Sequence, residues 1–364
     1  MTAITAAGTG GTDDTDASAD SPLLSVRDLT MHYPARRGAP VRAVDGLGFD
    51  LPAGRTLGLV GESGCGKSTT GRLVVRLLEP TAGSITFDGH DLTHLDRRGL
   101  RPFRGDLQMV FQDPHSSLNP RQSVARSIAE PLLVRGTPAG EARGRAAELM
   151  ELVGLRPEHL DRRPHQFSGG QAQRIGIARA LATGPRVIVA DEPVSALDVS
   201  VQAQIVNLLE RLQRELGLAY LFIAHDLSVV KRVCDQVAVM YLGRIVETGD
   251  KAQVYGNPAH PYTRALLSAV PLPEPAAERA RERVTLLGDP PNPAAPPSGC
   301  AFHPRCHKAT ERCRVEAPRL APAPIPAVVP PTGGLKDSPV PAASAPGGGG
   351  RLVACHFPEN APVP

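Results

Sequence analysis

Residues 55–78 read RTLGLVGESGCGKSTTGRLVVRLL, and the order of residue types in this stretch decides the fold. Thr56 to Val60 is a short apolar run of the kind that fills a buried strand. Gly61, Gly66, Lys67 and Ser68 then satisfy G-x-x-x-x-G-K-[ST]. Residues 69–78 carry helical periodicity. Glycines let a backbone curl until successive N–H groups point at one centre, and the helix N-terminus adds about half a positive charge there. Strand, loop and helix in this order make a phosphate cradle running through Gly61, Ser63, Gly64, Cys65, Gly66 and Thr69. Lys67 is expected to reach the β- and γ-phosphates, and the Ser68 hydroxyl to ligate Mg²⁺. Cys65 lies where the backbone does the binding, so its side chain reads as a small filler and not a nucleophile.

A second stretch, RVIVADE at 186–192, supplies what such a cradle needs for chemistry. Val187 to Ala190 predict a buried strand that ends on Asp191, where a carboxylate can hold the Mg²⁺ shell. Glu192 follows at once, and an adjacent second carboxylate can polarise a water for in-line attack on a γ-phosphate. Together the two stretches predict a nucleoside triphosphatase.

The third stretch is FSGGQAQR at 167–174. Ser168 and Gln171 fit a capping box at a helix start. A capping box does not require two glycines, and Gly169 and Gly170 leave the first N–H groups open to a close approach. This helix therefore reads as a second anion site. Two cradles with a single Asp191–Glu192 pair predict a composite site, in which the helix faces a γ-phosphate held by another chain.

The remainder of the chain bounds this reading. A length of 364 residues predicts about two domains. With 41% hydrophobic and 21% charged residues the composition is that of a globular protein. A net charge of +3, with basic pairs scattered at 36–37, 97–98 and 162–163, gives no nucleic-acid stripe. No apolar run approaches the roughly 18 residues of a spanning helix, and the first twenty lack the basic and apolar regions of a secretory signal. A cytoplasmic chain that meets the membrane through partners is expected. Residues 1–22 are expected to be disordered. Residues 23–255 alternate strand-like and helical patterns, which predicts a mainly parallel α/β sheet. Beyond Pro258 the chain is proline-rich, with a low-complexity linker at 331–350. Cys300, Cys306, Cys313 and Cys355 gather in this tail, where a cytosolic context favours metal over disulfides.

With these motifs in hand, the sequence resembles the ATP-binding subunits of ABC transporters over roughly residues 23–330. FSGGQ at 167–171 departs from the family's LSGGQ only in its apolar first residue. The resemblance implies an α/β P-loop NTPase with a RecA-like core, an antiparallel β subdomain and a helical subdomain at about 113–170. It also implies two subunits packed head to tail around two ATPs, with Ser168, Gly169, Gly170 and Gln171 capping the nucleotide of the opposite subunit. Residue by residue, Tyr33 matches the aromatic that stacks on adenine, although a strand-edge tyrosine is its plain alternative. Gln112, in VFQDP, matches the glutamine that reaches Mg²⁺ and the attacking water. Asp198, in SALD, matches a loop at the dimer interface. His225, in FIAHD, matches the histidine that contacts the γ-phosphate, and it follows an expected amphipathic helix over 201–216 with Ile205, Leu208, Leu209, Leu212 and Leu216 on its apolar face.

GESGCGKST, VFQDPHSSLNPR, DEPVSALDVSVQAQIVNLL and HPYTRALLSAVP narrow the resemblance to the dipeptide and oligopeptide importers, whose relatives also carry nickel. Such importers join two ATPases at the cytoplasmic face of the membrane, here expected to be two different chains, with two permeases and an extracytoplasmic solute-binding protein. The expected division is an ATP-binding domain at 23–257 and an oligopeptide-transporter-type region at 258–364. For the tail cysteines the resemblance favours a [4Fe–4S] cluster, while the spacing alone also allows zinc, with His303, His307 and His356 as lesser ligand candidates. A soluble ABC ATPase acting on nucleic acid, a regulatory subunit that never hydrolyses, and an exporter are the rival readings.

Overall fold

The structure is a computed structural model. It describes residues 21–35, 38–270, 284–286, 288–324 and 350–359. The segments expected to be disordered, 1–22 and 331–350, lie outside these residues except at Ser21, Pro22 and Gly350.

Strands β1 (Leu24–Tyr33) and β2 (Val41–Leu51) open the chain, followed by β3 (Thr56–Val60) and helix α1 (Lys67–Val74). Strands β4 (Ala82–Phe87), β5 (His90–Asp91) and β6 (Leu107–Val110) come next. Four helices follow, α2 (Pro114–Ser117), α3 (Val124–Val134), α4 (Ala139–Leu152) and α5 (Gly169–Leu181). The second half alternates β7 (Val187–Asp191), α6 (Val199–Leu216), β8 (Ala219–Ala224), α7 (Leu227–Val233) and β9 (Gln236–Tyr241). It continues with β10 (Arg244–Asp250), α8 (Lys251–Gly256) and α9 (Pro261–Ser268). The tail contributes α10 (Glu311–Val315), β11 (Ala321–Pro322) and β12 (Leu352–Val353).

Two sheets organise these elements. The first is antiparallel, in the order β2-β1-β4-β5. The second has the order β11-β12-β10-β9-β3-β8-β7-β6, and its five strands from β9 to β6 run parallel. β3, β7 and β8 are buried along their whole length. This follows from their unbroken apolar runs, which suit a parallel sheet covered on both faces. One core lies between the two sheets and includes Leu24, Leu47, Leu59, Leu73, Ile85 and Ile223. The other lies beneath the helices and joins Ile128, Leu149, Ile175 and Leu209 to Phe222 and Val239.

Two local expectations are corrected. The helix expected over 69–78 begins at Lys67 and stops at Val74. Arg76 turns into the left-handed region (φ 55°), and its buried guanidinium donates to the carbonyls of Leu78, Leu92 and Leu95. That side-chain anchorage outweighs continued helical periodicity. In α6, Ile205, Leu208, Leu209 and Leu212 form the buried stripe, but Leu216 is 48% exposed. The helix ends there on the left-handed Gly217, so its last residue leaves the stripe.

The tail is built into the same body. β12 pairs antiparallel with β10, which extends the main sheet. Phe302 is 2% exposed and belongs to the helix-side core.

Candidate functional site

The phosphate loop threads between two strands that leave no room for side chains. A Cβ on Gly61 would lie 2.2 Å from the Met240 carbonyl oxygen, and one on Gly66 would lie 2.0 Å from that of Ala43. Both glycines also take positive φ, 155° and 106°. Ser63 and Gly64 are exposed at the loop tip, and Thr69 is half-buried on the first turn of α1. Lys67 is 5% exposed, and its Nζ donates to the carbonyls of Gly61 (2.8 Å) and Glu62 (2.9 Å). The ammonium is thus held over the loop by the same backbone that would curl around a phosphate. Cys65 is buried, and burial pushes its thiol up, as suits a filler.

One bond then leads from the loop to the end of β7. Ser68 Oγ donates to Asp191 Oδ1 at 2.8 Å. Asp191 is 2% exposed, and burial pushes its carboxyl up while the Ser68 bond opposes the shift. Glu192 takes a left-handed backbone (φ 45°) and donates its N–H to the Ile223 carbonyl at 2.9 Å. This turn sends consecutive carboxylates to different positions at the strand end. Gln112 Nε2 donates to Glu192 Oε2 at 2.8 Å, and His225 Nδ1 lies 3.4 Å from the same oxygen. Gln112 follows β6 and His225 follows β8, so the parallel strands on either side of β7 deliver both to Glu192.

Among the described residues, the other expected residues share no hydrogen bond with this cluster. Ser168 Oγ accepts from the Gln171 N–H at 3.4 Å, and the Gln171 side chain accepts from the Ser168 N–H at 3.1 Å. The capping box is therefore formed. Phe167 is buried with its ring edge-on to His159, which accounts for an apolar residue at that place. Gly170 has a packing reason within its own chain, since a Cβ there would lie 2.4 Å from Val201 Cγ1. Among the described residues, no hydrogen bond joins 168–171 to the loop at 61–69. Asp198 caps α6 without a side-chain bond and is exposed. Tyr33 ends β1 opposite Val41, two residues from the Ala43 carbonyl that abuts the loop.

Two residues outside the expected set also touch the loop. The Tyr262 hydroxyl accepts the Glu62 N–H at 2.9 Å, and Arg305 pairs with the Glu62 carboxylate. No spacing rule reveals them, because they lie 200 and 243 positions downstream.

In the tail, Cys300, Cys306, Cys313 and Cys355 are free thiols lining one small cavity. Burial pushes Cys300 and Cys306 up, and Cys355 up to about 11. Among the described residues, no group of three or more His, Cys, Asp or Glu side chains is gathered closely enough to hold a metal ion. The expected iron–sulfur or zinc site therefore has a shared cavity but no ligating arrangement. The lesser candidates are engaged elsewhere: His303 with the Cys300 carbonyl, His356 with that of Glu316, and His307 with Glu359.

Residues 44–195 match the family model described as ABC transporter, and residues 246–313 that of the oligopeptide/dipeptide transporter C-terminal region. The chain is 49% identical to the putative oligopeptide transport ATP-binding protein YkfD of Bacillus subtilis, covering 93% of this chain and 97% of that one. The chain belongs to the ABC transporter family. Within it, the di/tripeptide transport ATP-binding protein DppF of Pseudomonas aeruginosa is 52% identical, over 82% of this chain and 94% of that one. A solved ATP-binding cassette, MJ0796, in a dimeric post-hydrolysis state bound to ADP and Pi, superposes with a TM-score of 0.57 at 28% identity. It covers 63% of this chain and 98% of that one. The fold is the P-loop NTPase fold of ABC ATPases, and this ABC subunit is an ATP-hydrolysing component of a transporter of the oligopeptide/dipeptide type. Among the described residues, no helix is long and apolar enough to cross a membrane.

Proposed function

We propose that this ABC subunit energises the import of di- and oligopeptides, with its ATP completed across a junction between two ATPase subunits. The observation that carries the catalytic part is the convergence of Gln112 and His225 on one oxygen of Glu192, beside the Ser68–Asp191 bond. A carboxylate so placed accepts a proton from an attacking water, with Gln112 and His225 orienting water and γ-phosphate. Gly61 to Thr69 cradle the phosphates, Lys67 counters their charge, and Ser68, Asp191 and Gln112 hold Mg²⁺. Tyr33 offers its ring to adenine. Ser168 to Gln171 and Asp198 serve the neighbouring subunit, a reading supported by the lack of any hydrogen bond from 168–171 to this chain's own loop among the described residues and by the dimeric state of the MJ0796 cassette. Peptide as solute is supported by the similarity to the putative oligopeptide transport protein YkfD and the di/tripeptide transport protein DppF.

The second ATPase is a different chain, and the pair sits on two permeases at the cytoplasmic face of the membrane, supplied by an extracytoplasmic binding protein. The ATP-binding domain spans 23–257, its helical part about 113–170, and the oligopeptide-transporter-type region spans 258–364. Glu192→Gln tests the chemistry: nucleotide binding persists while turnover falls by ~10³-fold or more, as removal of an essential catalytic group requires. Near-parental turnover in the assembled transporter contradicts the assignment.

The tail cysteines complete the reading. We infer that they take a [4Fe–4S] cluster, or zinc in its place. Support comes from four free thiols on one cavity in a segment with few apolar residues of its own. When bound, such a group would staple the segment through Cys300, Cys306, Cys313 and Cys355. Iron or zinc near one site per chain in anaerobically purified protein is the expected result, and metal-free protein with an unchanged melting temperature refutes it.

A further inference from the structure

Glu62 occupies the second place of the phosphate loop, where a carboxylate is an electrostatic liability. A bound triphosphate brings several negative charges to the same few ångströms, and like charges in a partly desolvated site repel strongly. The structure meets this with a cation from the far end of the chain. Arg305 Nη1 donates to Glu62 Oε2 at 2.7 Å and Nη2 to Oε1 at 3.0 Å, a bidentate fork. The arginine side chain is 6% exposed and the glutamate 26%.

The placement of Arg305 is over-determined. It ends the 3₁₀ turn His303–Arg305, with its N–H donated to the Phe302 carbonyl at 3.0 Å. Phe302 is wedged among Tyr241 (centroids 5.3 Å apart), Tyr262 (5.5 Å) and His260 (5.5 Å). Tyr262 in turn holds the Glu62 N–H. One aromatic cluster thus fixes both the guanidinium that grips the Glu62 side chain and the hydroxyl that grips its backbone. Lys67 closes the circle by donating to the Glu62 carbonyl.

We propose that Arg305, delivered by the C-terminal region, is a positioning residue for ATP: by neutralising and orienting Glu62 it makes the phosphate loop receptive to a triphosphate. The proposal rests on the loop being the ATP site. It gives the tail a direct part in nucleotide binding, separate from whatever its cysteines hold. The turn that carries Arg305 lies between Cys300 and Cys306, so the order of that segment sets the order of the loop.

The experiment measures the affinity of the dilute full chain for MgATP by calorimetric titration, with thermal melting alongside. Arg305→Ala is expected to weaken binding by roughly tenfold or more, since it leaves a largely buried carboxylate unpaired beside the phosphates. Arg305→Lys keeps the charge, loses the fork, and lies between parent and alanine variant. The decisive arm is the double variant Arg305→Ala with Glu62→Gln, which regains most of the lost affinity because the repelling charge is gone. Parental affinity in Arg305→Ala, or a double variant as weak as the single one, overturns the proposal. Should Arg305→Ala fail to fold, Glu62→Gln alone decides: tighter binding supports neutralisation, weaker binding refutes it. Lys67→Ala separates the two levels. If it binds ATP like the parent, the assignment of the loop is at fault, whereas its loss of binding beside an unaffected Arg305→Ala defeats this inference alone.

Discussion

His260 shows how far a single residue can be displaced from its ordinary chemistry. It is 1% exposed, its Nδ1 accepts the Tyr262 N–H at 3.1 Å, and desolvation lowers its pKa from 6.5 to about 3. The folded chain therefore keeps this ring neutral where the unfolded chain protonates it. The unfolded state binds more protons, so the contribution of His260 to stability is lost as pH falls from 6.5 towards 3. His260→Asn, which keeps an acceptor for the Tyr262 N–H, is expected to lose less stability over that window, measured by urea unfolding at several pH values. Equal slopes for parent and variant would show that the ring does not stay neutral. At the same scale, Glu192 illustrates what a motif conveys and what it omits. The pair of carboxylates was legible in RVIVADE, but the left-handed backbone that separates them, and the shared oxygen on which Gln112 and His225 meet, were not. These depend on strand neighbours brought together from 80 and 33 positions away in the chain, and local sequence holds no record of such registers.

Among the elements, the strands of the main sheet and helix α6 agree best with sequence periodicity, because continuous apolar runs and an i, i+3, i+4 stripe are local signals of burial. The termini of α1 and α6 agree least. Arg76 ends the first helix through carbonyls in the segment from Leu78 to Leu95, and a partner of that kind has no signature in spacing. Helix α5 sits between these cases: its capping box is readable in the sequence, but the packing of Gly170 against Val201 is not. The segment around Phe302 is held by aromatic contacts to β9 and α9, so Phe302→Ala is expected to destabilise the chain by about 3–5 kcal/mol through the cavity it leaves. Chemical denaturation reads this directly, and a loss below about 1 kcal/mol would mean that the segment is not anchored through that ring.

For the whole molecule, the loop at 61–69 and the helix start at 168–171 share no hydrogen bond among the described residues: 61–69 bonds to the end of β7 and to the tail, while Ser168 and Gln171 bond to each other. Turnover per chain should accordingly rise with protein concentration as subunits pair. Ser168→Arg is expected to leave MgATP binding to the dilute chain within about twofold of the parent while lowering turnover by ~10²-fold, because the bulky cation meets only the neighbour's nucleotide. A concentration-independent rate, or loss of binding in the isolated variant, would place both cradles on one nucleotide.

Sequence alone determined the class of chemistry, because phosphate binding and metal-assisted hydrolysis demand few residue types at short, rigid spacings. It equally determined the parallel sheet, whose burial on both faces leaves continuous apolar runs. Only the tertiary structure decided that the cysteine-bearing tail extends the main sheet and reaches the phosphate loop through Arg305. A contact spanning 243 positions is set by how strands and aromatic rings pack, a property of the folded chain that no window of sequence contains.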